Sequence, residues 1–352
     1  MQFDADRLIG DAFRAILGRE IDASGLAHFR SAFAQGATPQ DFLAALLGSE
    51  EYRGRALGTA LPKIELPDLA TQFPDEYWRG PDGVNHLLVR GINGPEDYNR
   101  FERLIIDHHY YDGFNGTYYP TLDTSKKVTA AMMIGLQPKR SLELGCFNGI
   151  VVGLLNQAGV DARGIDPSHL AFALADPAVR GKIMFGDLLR LPVEGSFDVI
   201  AGMDIYEHLN PVKLGDYLRK TASILSPDGF VIMCSPMFGE DRIFGNVCPK
   251  YLPEWEGDGE DDEWTHITCD DRGWPFLGHL IFQNTRWWEK QCRLAGLVRD
   301  TEIEVFIHSK LEDFYKVAPY RKGMFVLKKP EGRKSLKDVQ ETLVREIDGA
   351  LL

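Results

Sequence analysis

The chain is poor in cysteine, and its five thiols, Cys146, Cys234, Cys248, Cys269 and Cys292, stand far apart with no CxxC pair among them. That excludes a disulfide-stapled scaffold and predicts reduced thiols. No uninterrupted apolar run approaches the roughly 18 residues of a membrane span. The opening MQFDADRLIG has acids where a secretion signal needs a basic stretch. Positive charge is in deficit: 39 Lys+Arg against 52 Asp+Glu give a formal net charge of -13, a field that repels phosphate backbones and anionic lipid. These absences predict a cytoplasmic protein with no nucleic-acid partner and no integral membrane segment. No internal repeat appears. What is there is ordinary globular material, 44% hydrophobic and 26% charged over 352 residues, enough for about two domains.

The first stretch reads as helical. Leu8, Ile9, Ala12, Phe13, Ile16 and Leu17 share one face of a 3.6-residue period, with Asp4 or Asp6 as N-cap and Gly18 as stop. A second helix fits Ser24 to Ala34, burying Leu26, Phe29 and Phe33. A third starts with Thr38 as N-cap, Pro39 and Asp41, then turns Phe42, Leu43, Leu46 and Leu47 inward. Residues 1–58 are therefore a small all-α domain. Residues 59–105, punctuated by Pro62, Pro67, Pro74 and Pro81, are expected as linker and irregular packing, and residues 331–352 as one polar helix.

LGREIDASGLAHF, followed by SEEYRGRAL, resembles a family of short helical repeats of unassigned function, through Leu17, Gly18, Arg19, Asp22, Gly25, Ser49, Glu51 and Tyr52. That family resembles phycobilisome-linker modules and accompanies bacterial surface-glycan proteins. The resemblance implies a docking module with a protein partner; an ordinary helical cap is the alternative.

From Ser141 short apolar strands alternate with helices, the signature of a doubly wound, mostly parallel sheet. SLELG, ARGID, KIMFGD, FDVIAGM and GFVIMCSP supply five parallel strands. IEVFIHS and GMFVLKKP are expected to pair as an antiparallel edge, closing a seven-stranded sheet within residues 106–330. In such a sheet ligands bind at the carboxyl ends of the strands. The first strand ends in Glu143, Gly145, Cys146, Phe147 and Gly149, and the second in Asp166, 23 residues beyond Glu143 and suited to two ribose hydroxyls. The third ends in Asp187 and Leu188, which suit an adenine amine and ring face. Met203 and Asp204 follow the fourth. A nicotinamide dinucleotide fold is disfavoured, because Gly145, Gly149 and Gly153 do not make a G-x-G-x-x-G phosphate cradle.

Over roughly residues 120–330 these motifs resemble class I S-adenosylmethionine-dependent methyltransferases. ELGCFNG matches their glycine-rich first motif, GID the ribose-binding acid and GDLLRLP the adenine-side acid; DIYEHL matches the segment after the fourth strand that faces the substrate. The resemblance implies a Rossmann-like fold and S-adenosylmethionine as cofactor. Phe147 departs from the pattern, standing where the middle glycine is usual.

His208 is the candidate general base, with Asp204 and Glu207 as groups that orient it, compete with it or bind a metal. Tyr110, Tyr111, Phe114, Tyr118 and Tyr119 precede the sheet and suit a sugar or ring face, Tyr118 and Tyr119 above all. An insertion over residues 237–285 adds His266 and His279 as acceptor-side candidates, the acidic EWEGDGEDDEW as a solvated loop, and Trp255, Trp264, Trp274, Trp287 and Trp288 as aromatic faces. The last two also fit a helix packed onto the sheet. Cys248, His266, Cys269 and His279 match no common zinc spacing, so no metal is expected. The acceptor expected is a sugar hydroxyl of a glycan or glycan precursor. The alternatives are another small metabolite, or a non-catalytic cofactor-binding scaffold working through the N-terminal module.

Overall fold

The computed structural model describes residues 5–17, 19–37, 39, 42, 45–46, 49, 64–70, 78–79, 88–113, 121–248 and 266–351. They fall into two compact units, Met1–Lys63 and Ile64–Leu352. In the first, α1 (Ala5–Leu17) and α2 (Ala23–Ala34) enclose a small core of Ile9, Ala12, Phe13, Phe42 and Leu46, with Phe29 edge-on to Phe42 at 4.8 Å. Asp22 rather than Ser24 opens the second helix, its carboxylate accepting the Gly25 N–H at 2.8 Å. Asp6 is not a cap: it lies inside the first turn of α1 and pairs with Arg30 at 2.5 Å. Asp4, Gly18, Thr38 and Asp41 lie outside the described residues.

The second unit is built on the expected α/β sheet. Among the described residues its strands in chain order are β1 (Trp78–Arg79), β2 (Leu88–Gly91), β3 (Arg140–Leu144), β4 (Asp161–Asp166), β5 (Ile183–Phe185), β6 (Phe197–Met203), β7 (Leu225–Cys234), β8 (Met237–Phe238), β9 (His266–Cys269), β10 (Gln283–Asn284), β11 (Val298–Arg299) and β12 (Met324–Lys328). Seven form the main sheet in the order β11-β12-β7-β6-β3-β4-β5. Strands β3 to β7 within it are parallel, and β12 runs antiparallel to β7. Alternate residues feed two cores: Val199, Ala201, Phe230, Ile232, Met324 and Val326 enter one, Ile200, Val231, Met233, Phe325 and Leu327 the other. Both faces are covered, as a parallel sheet requires.

The helices of this unit are α3 (Pro95–Asp107), α4 (Thr124–Gly135), α5 (Ile150–Gln157), α6 (His169–Leu174), α7 (Pro177–Arg180), α8 (Pro211–Ile224), α9 (Thr285–Leu294), α10 (Thr301–Lys310), α11 (Glu312–Val317) and α12 (Leu336–Leu351). Helices α4, α5, α10 and α12 contribute to the first core, α8 and α9 to the second.

Three expectations need correction. IEVFIHS is helical within α10, not an edge strand; the outer neighbour of β12 is β11. Asp300 caps α10 through the Ile303 N–H, and Ile303 and Ile307 are buried on one face. The C-terminal helix starts at Leu336 instead of residue 331 and is not wholly polar, because Val339, Leu343 and Ile347 are buried. Within residues 59–105, Pro95–Asp107 is an amphipathic helix, with Pro95, Glu96 and Asp97 in its first turn and Tyr98, Phe101 and Ile105 inward.

Candidate active site

The chain passes from β3 to β4 to β5 on one side of β3, then crosses to β6 on the other. This is a topological switch, the place where open parallel sheets bind their ligands, at the carboxyl ends of the strands. The loop after β3 turns through two left-handed glycines. Gly145 (φ 66°) and Gly149 (φ 76°) have no room for a Cβ, which would meet Ile205 at 2.6 Å and Ile183 at 2.7 Å. Between them Phe147 takes φ 44° despite its side chain, and is buried. Its N–H donates to Asp166 Oδ2 at 2.8 Å, and Asp166 Oδ1 accepts from Ser168 N–H at 2.9 Å. The acid at the end of β4 thereby holds the loop that follows β3.

Glu143 lies at the same edge, buried, with Oε2 lacking a hydrogen-bond partner. Desolvation pushes its carboxyl up to about 8; Asp166 adds to this and Lys126 of α4 opposes it. Strand pairing sets the two acids near each other: Glu143 is in register with Gly164, two residues before Asp166 on the adjacent strand. Asp187 instead closes its own turn, accepting from Leu189 N–H at 2.8 Å, while Leu188 is buried in the second core. Cys146 is buried, and Met203 packs partly buried on the first core.

After β6 the chain makes a tight bend. Asp204 takes φ 52° and pairs with Arg321, which precedes β12, at 2.8 Å. Desolvation raises the Asp204 carboxyl and Arg321 opposes it. The 3-10 turn Tyr206–His208 then delivers Glu207 and His208. Glu207 is fully buried: Oε2 accepts from Ser235 Oγ at 2.8 Å, and Oε1 has no hydrogen-bond partner. Burial, reinforced by Asp204, raises its carboxyl well above the ordinary range.

His208 Nδ1 lies 3.1 Å from Tyr111 Oη, and its ring meets that of His279 edge-on at 4.7 Å. Desolvation lowers the His208 imidazole to about 4, against the Gly278 and Asp204 carbonyls, which favour its protonated form. His279 is also held well below the ordinary imidazole range, by burial and by His208, and stands 3.9 Å from Glu207 Oε1. Glu207, His208 and His279 thus offer donor atoms within 4.8 Å of one another, a set with the chemistry to hold a divalent cation.

The structure therefore brings together Glu143, Gly145, Phe147, Gly149 and Asp166 at one strand edge, and His208 with His279 and Tyr111 beside the next. No sequence pattern points to Arg321, to Ser235 or to Tyr111 as the neighbour of His208; Glu207 is visible only through its place in DIYEHL. Tyr118, Tyr119, Phe114, Trp255 and Trp264 lie outside the described residues, as does the side chain of His266, whose backbone is in β9. The ring-stacking expectation fails for Tyr110, which is buried against Trp274. Trp274, Trp287 and Trp288 are buried too, so they are packing residues rather than open aromatic faces. Among the described residues no helix is long and apolar enough to cross a membrane.

A family model described as "Methyltransferase domain" matches residues 122–298. An uncharacterized methyltransferase of Staphylococcus carnosus is 25% identical over 112 residues, 32% of this chain and 54% of that protein. A ubiquinone biosynthesis O-methyltransferase of Bradyrhizobium diazoefficiens is 26% identical over 147 residues, 38% of this chain and 57% of its own length. The chain spans about half the length of these curated relatives. Among solved structures, the 1,6-didemethyltoxoflavin-N1-methyltransferase of Burkholderia thailandensis aligns with a TM-score of 0.41 at 16% identity, over 72% of this chain and 96% of its own.

Proposed function

Because this chain belongs to the methyltransferase-domain family matched over residues 122–298, whose cofactor is S-adenosylmethionine, we propose that it methylates a hydroxyl of a small molecule, with His208 as general base. The observation that carries the cofactor site is the buried, unpartnered Glu143 Oε2 beside two left-handed glycines. A lone carboxylate oxygen out of water needs a proton or a cation, and the cofactor's ammonium meets that need. Asp166 and Asp187, at the next two strand ends, suit its ribose hydroxyls and adenine amine. When bound, S-adenosylmethionine supplies an electrophilic methyl group, so the chain has to align the acceptor and take its proton. His208, held near 4 by burial, is unprotonated at neutral pH and able to accept. Asp204 is tied to Arg321 and serves as a support to the bend.

An oxygen acceptor agrees with the relatives named O-methyltransferases. The narrower reading, a sugar hydroxyl, keeps the N-terminal resemblance as its support, since Trp274, Trp287 and Trp288 are buried. The N-terminal module's role as a docking surface for a protein partner is a proposal of the same standing. Transfer of radiolabelled methyl to a panel holding a catechol and a nucleotide sugar tests the acceptor. His208→Ala should lower kcat by about 10²- to 10⁴-fold with S-adenosylhomocysteine affinity unchanged, and a chelator should leave the wild-type rate unchanged. Full activity in His208→Ala would exclude the base, and loss of activity on chelation would turn Glu207, His208 and His279 into metal ligands.

A further inference from the structure

We infer that Tyr111 is a positioning residue that fixes the tautomer of His208, keeping the imidazole proton on Nδ1 and the lone pair on Nε2. This deepens, and rests on, the reading of His208 as base. Tyr111 Oη lies 3.2 Å from the Gly278 carbonyl and 3.1 Å from His208 Nδ1. A carbonyl can only accept, and a phenol has one hydrogen. With that hydrogen given to Gly278, a lone pair of the phenol faces Nδ1, which then acts as the donor. Burial holds the Tyr111 hydroxyl well above its ordinary ionisation range, so it remains a phenol.

The arrangement is built rather than incidental. Gly278 takes φ 78°, and a Cβ there would stand 2.8 Å from Tyr111 Oη; only glycine lets the phenol close on this carbonyl. The preceding Tyr110 is buried against Trp274, with its hydroxyl 3.4 Å from the Pro275 carbonyl, which anchors the 3-10 turn carrying Tyr111. Tyr111 meets His208 edge-on, ring centroids 5.5 Å apart. A base whose two nitrogens interchange presents its lone pair to the acceptor only part of the time; a fixed Nδ1–H presents it always.

The test uses the full chain labelled with [15N]histidine, with the His208 signals assigned by their loss in His208→Gln. Long-range 1H–15N correlation of the wild type should show a protonated Nδ1 and an unprotonated Nε2. Tyr111→Phe, which keeps the ring and removes Oη, should shift His208 toward the Nε2–H form. It should also lower kcat roughly ten- to hundredfold, less than loss of an orienting carboxylate, with S-adenosylhomocysteine affinity kept. An Nε2–H tautomer in the wild type, or an unchanged His208 spectrum in Tyr111→Phe, would overturn the inference whatever happens to kcat. Should His208→Ala retain full activity, the base reading falls, while the tautomer comparison still decides the role of Tyr111.

Discussion

Phe147 spends conformational energy, on the order of 1 kcal/mol or more, to sit in the left-handed region with a side chain. What keeps it there is Asp166, whose two oxygens take the N–H groups of Phe147 and Ser168. Asp166→Asn would turn an amide NH2 toward one of those donors, so loop and cofactor site should suffer together. S-adenosylhomocysteine affinity should drop at least tenfold by calorimetry; an unchanged Kd would show that the carboxylate does not organise the site. Glu143 and Asp166 were legible in the sequence because each ends an apolar strand, where a parallel sheet delivers its ligand groups. Tyr111 was not, because 97 residues separate it from His208 and only folding joins them.

Among elements, α10 shows why polarity patterns mislead. Glu304 is fully buried, hydrogen-bonded to Arg299 and to the Val326 N–H, whereas Val305 is half exposed. The inward and outward residues are exchanged, and β-branched Ile303, Val305 and Ile307 add a strand-like composition. Only the Asp300 cap marked the helix. The strands β3, β6 and β7 were readable because burial on both faces leaves a continuous apolar run. Helix α12 was readable as a helix but not in its contacts. It crosses α4 so closely that a Cβ on Gly135 would lie 2.6 Å from Leu343 Cδ2 and 2.9 Å from its Cα. Gly135→Ala should therefore cost about 1–3 kcal/mol by overpacking, seen as a lower Tm; an unchanged or raised Tm would mean that the pair relaxes freely.

At the scale of the whole molecule, the two units each carry their own core. Residues 64–352 expressed alone should fold cooperatively and bind S-adenosylhomocysteine within about twofold of the full chain, as calorimetry would show. A large loss would make the N-terminal unit part of the site. The five parallel strands followed from the alternation of strands and helices; the outermost strand β11 and the charge pairs, such as Asp204 with Arg321, did not. With the sheet edge proposed as a seat for a cofactor ammonium, Glu143 is the group that reports on it directly. In the cofactor-free protein its carboxyl, ordinarily at 4.5, is pushed up to about 8. The folded chain therefore binds more protons than the unfolded one between those values, and loses stability as pH rises through that window. An ammonium needs the carboxylate form, so cofactor affinity should move the opposite way. Titration of S-adenosylhomocysteine into the full chain should show Kd tightening by up to about tenfold per pH unit from about pH 6 toward about pH 8. Glu143→Gln should bind more weakly and without that slope. Equal affinity in the two proteins at every pH would contradict the account.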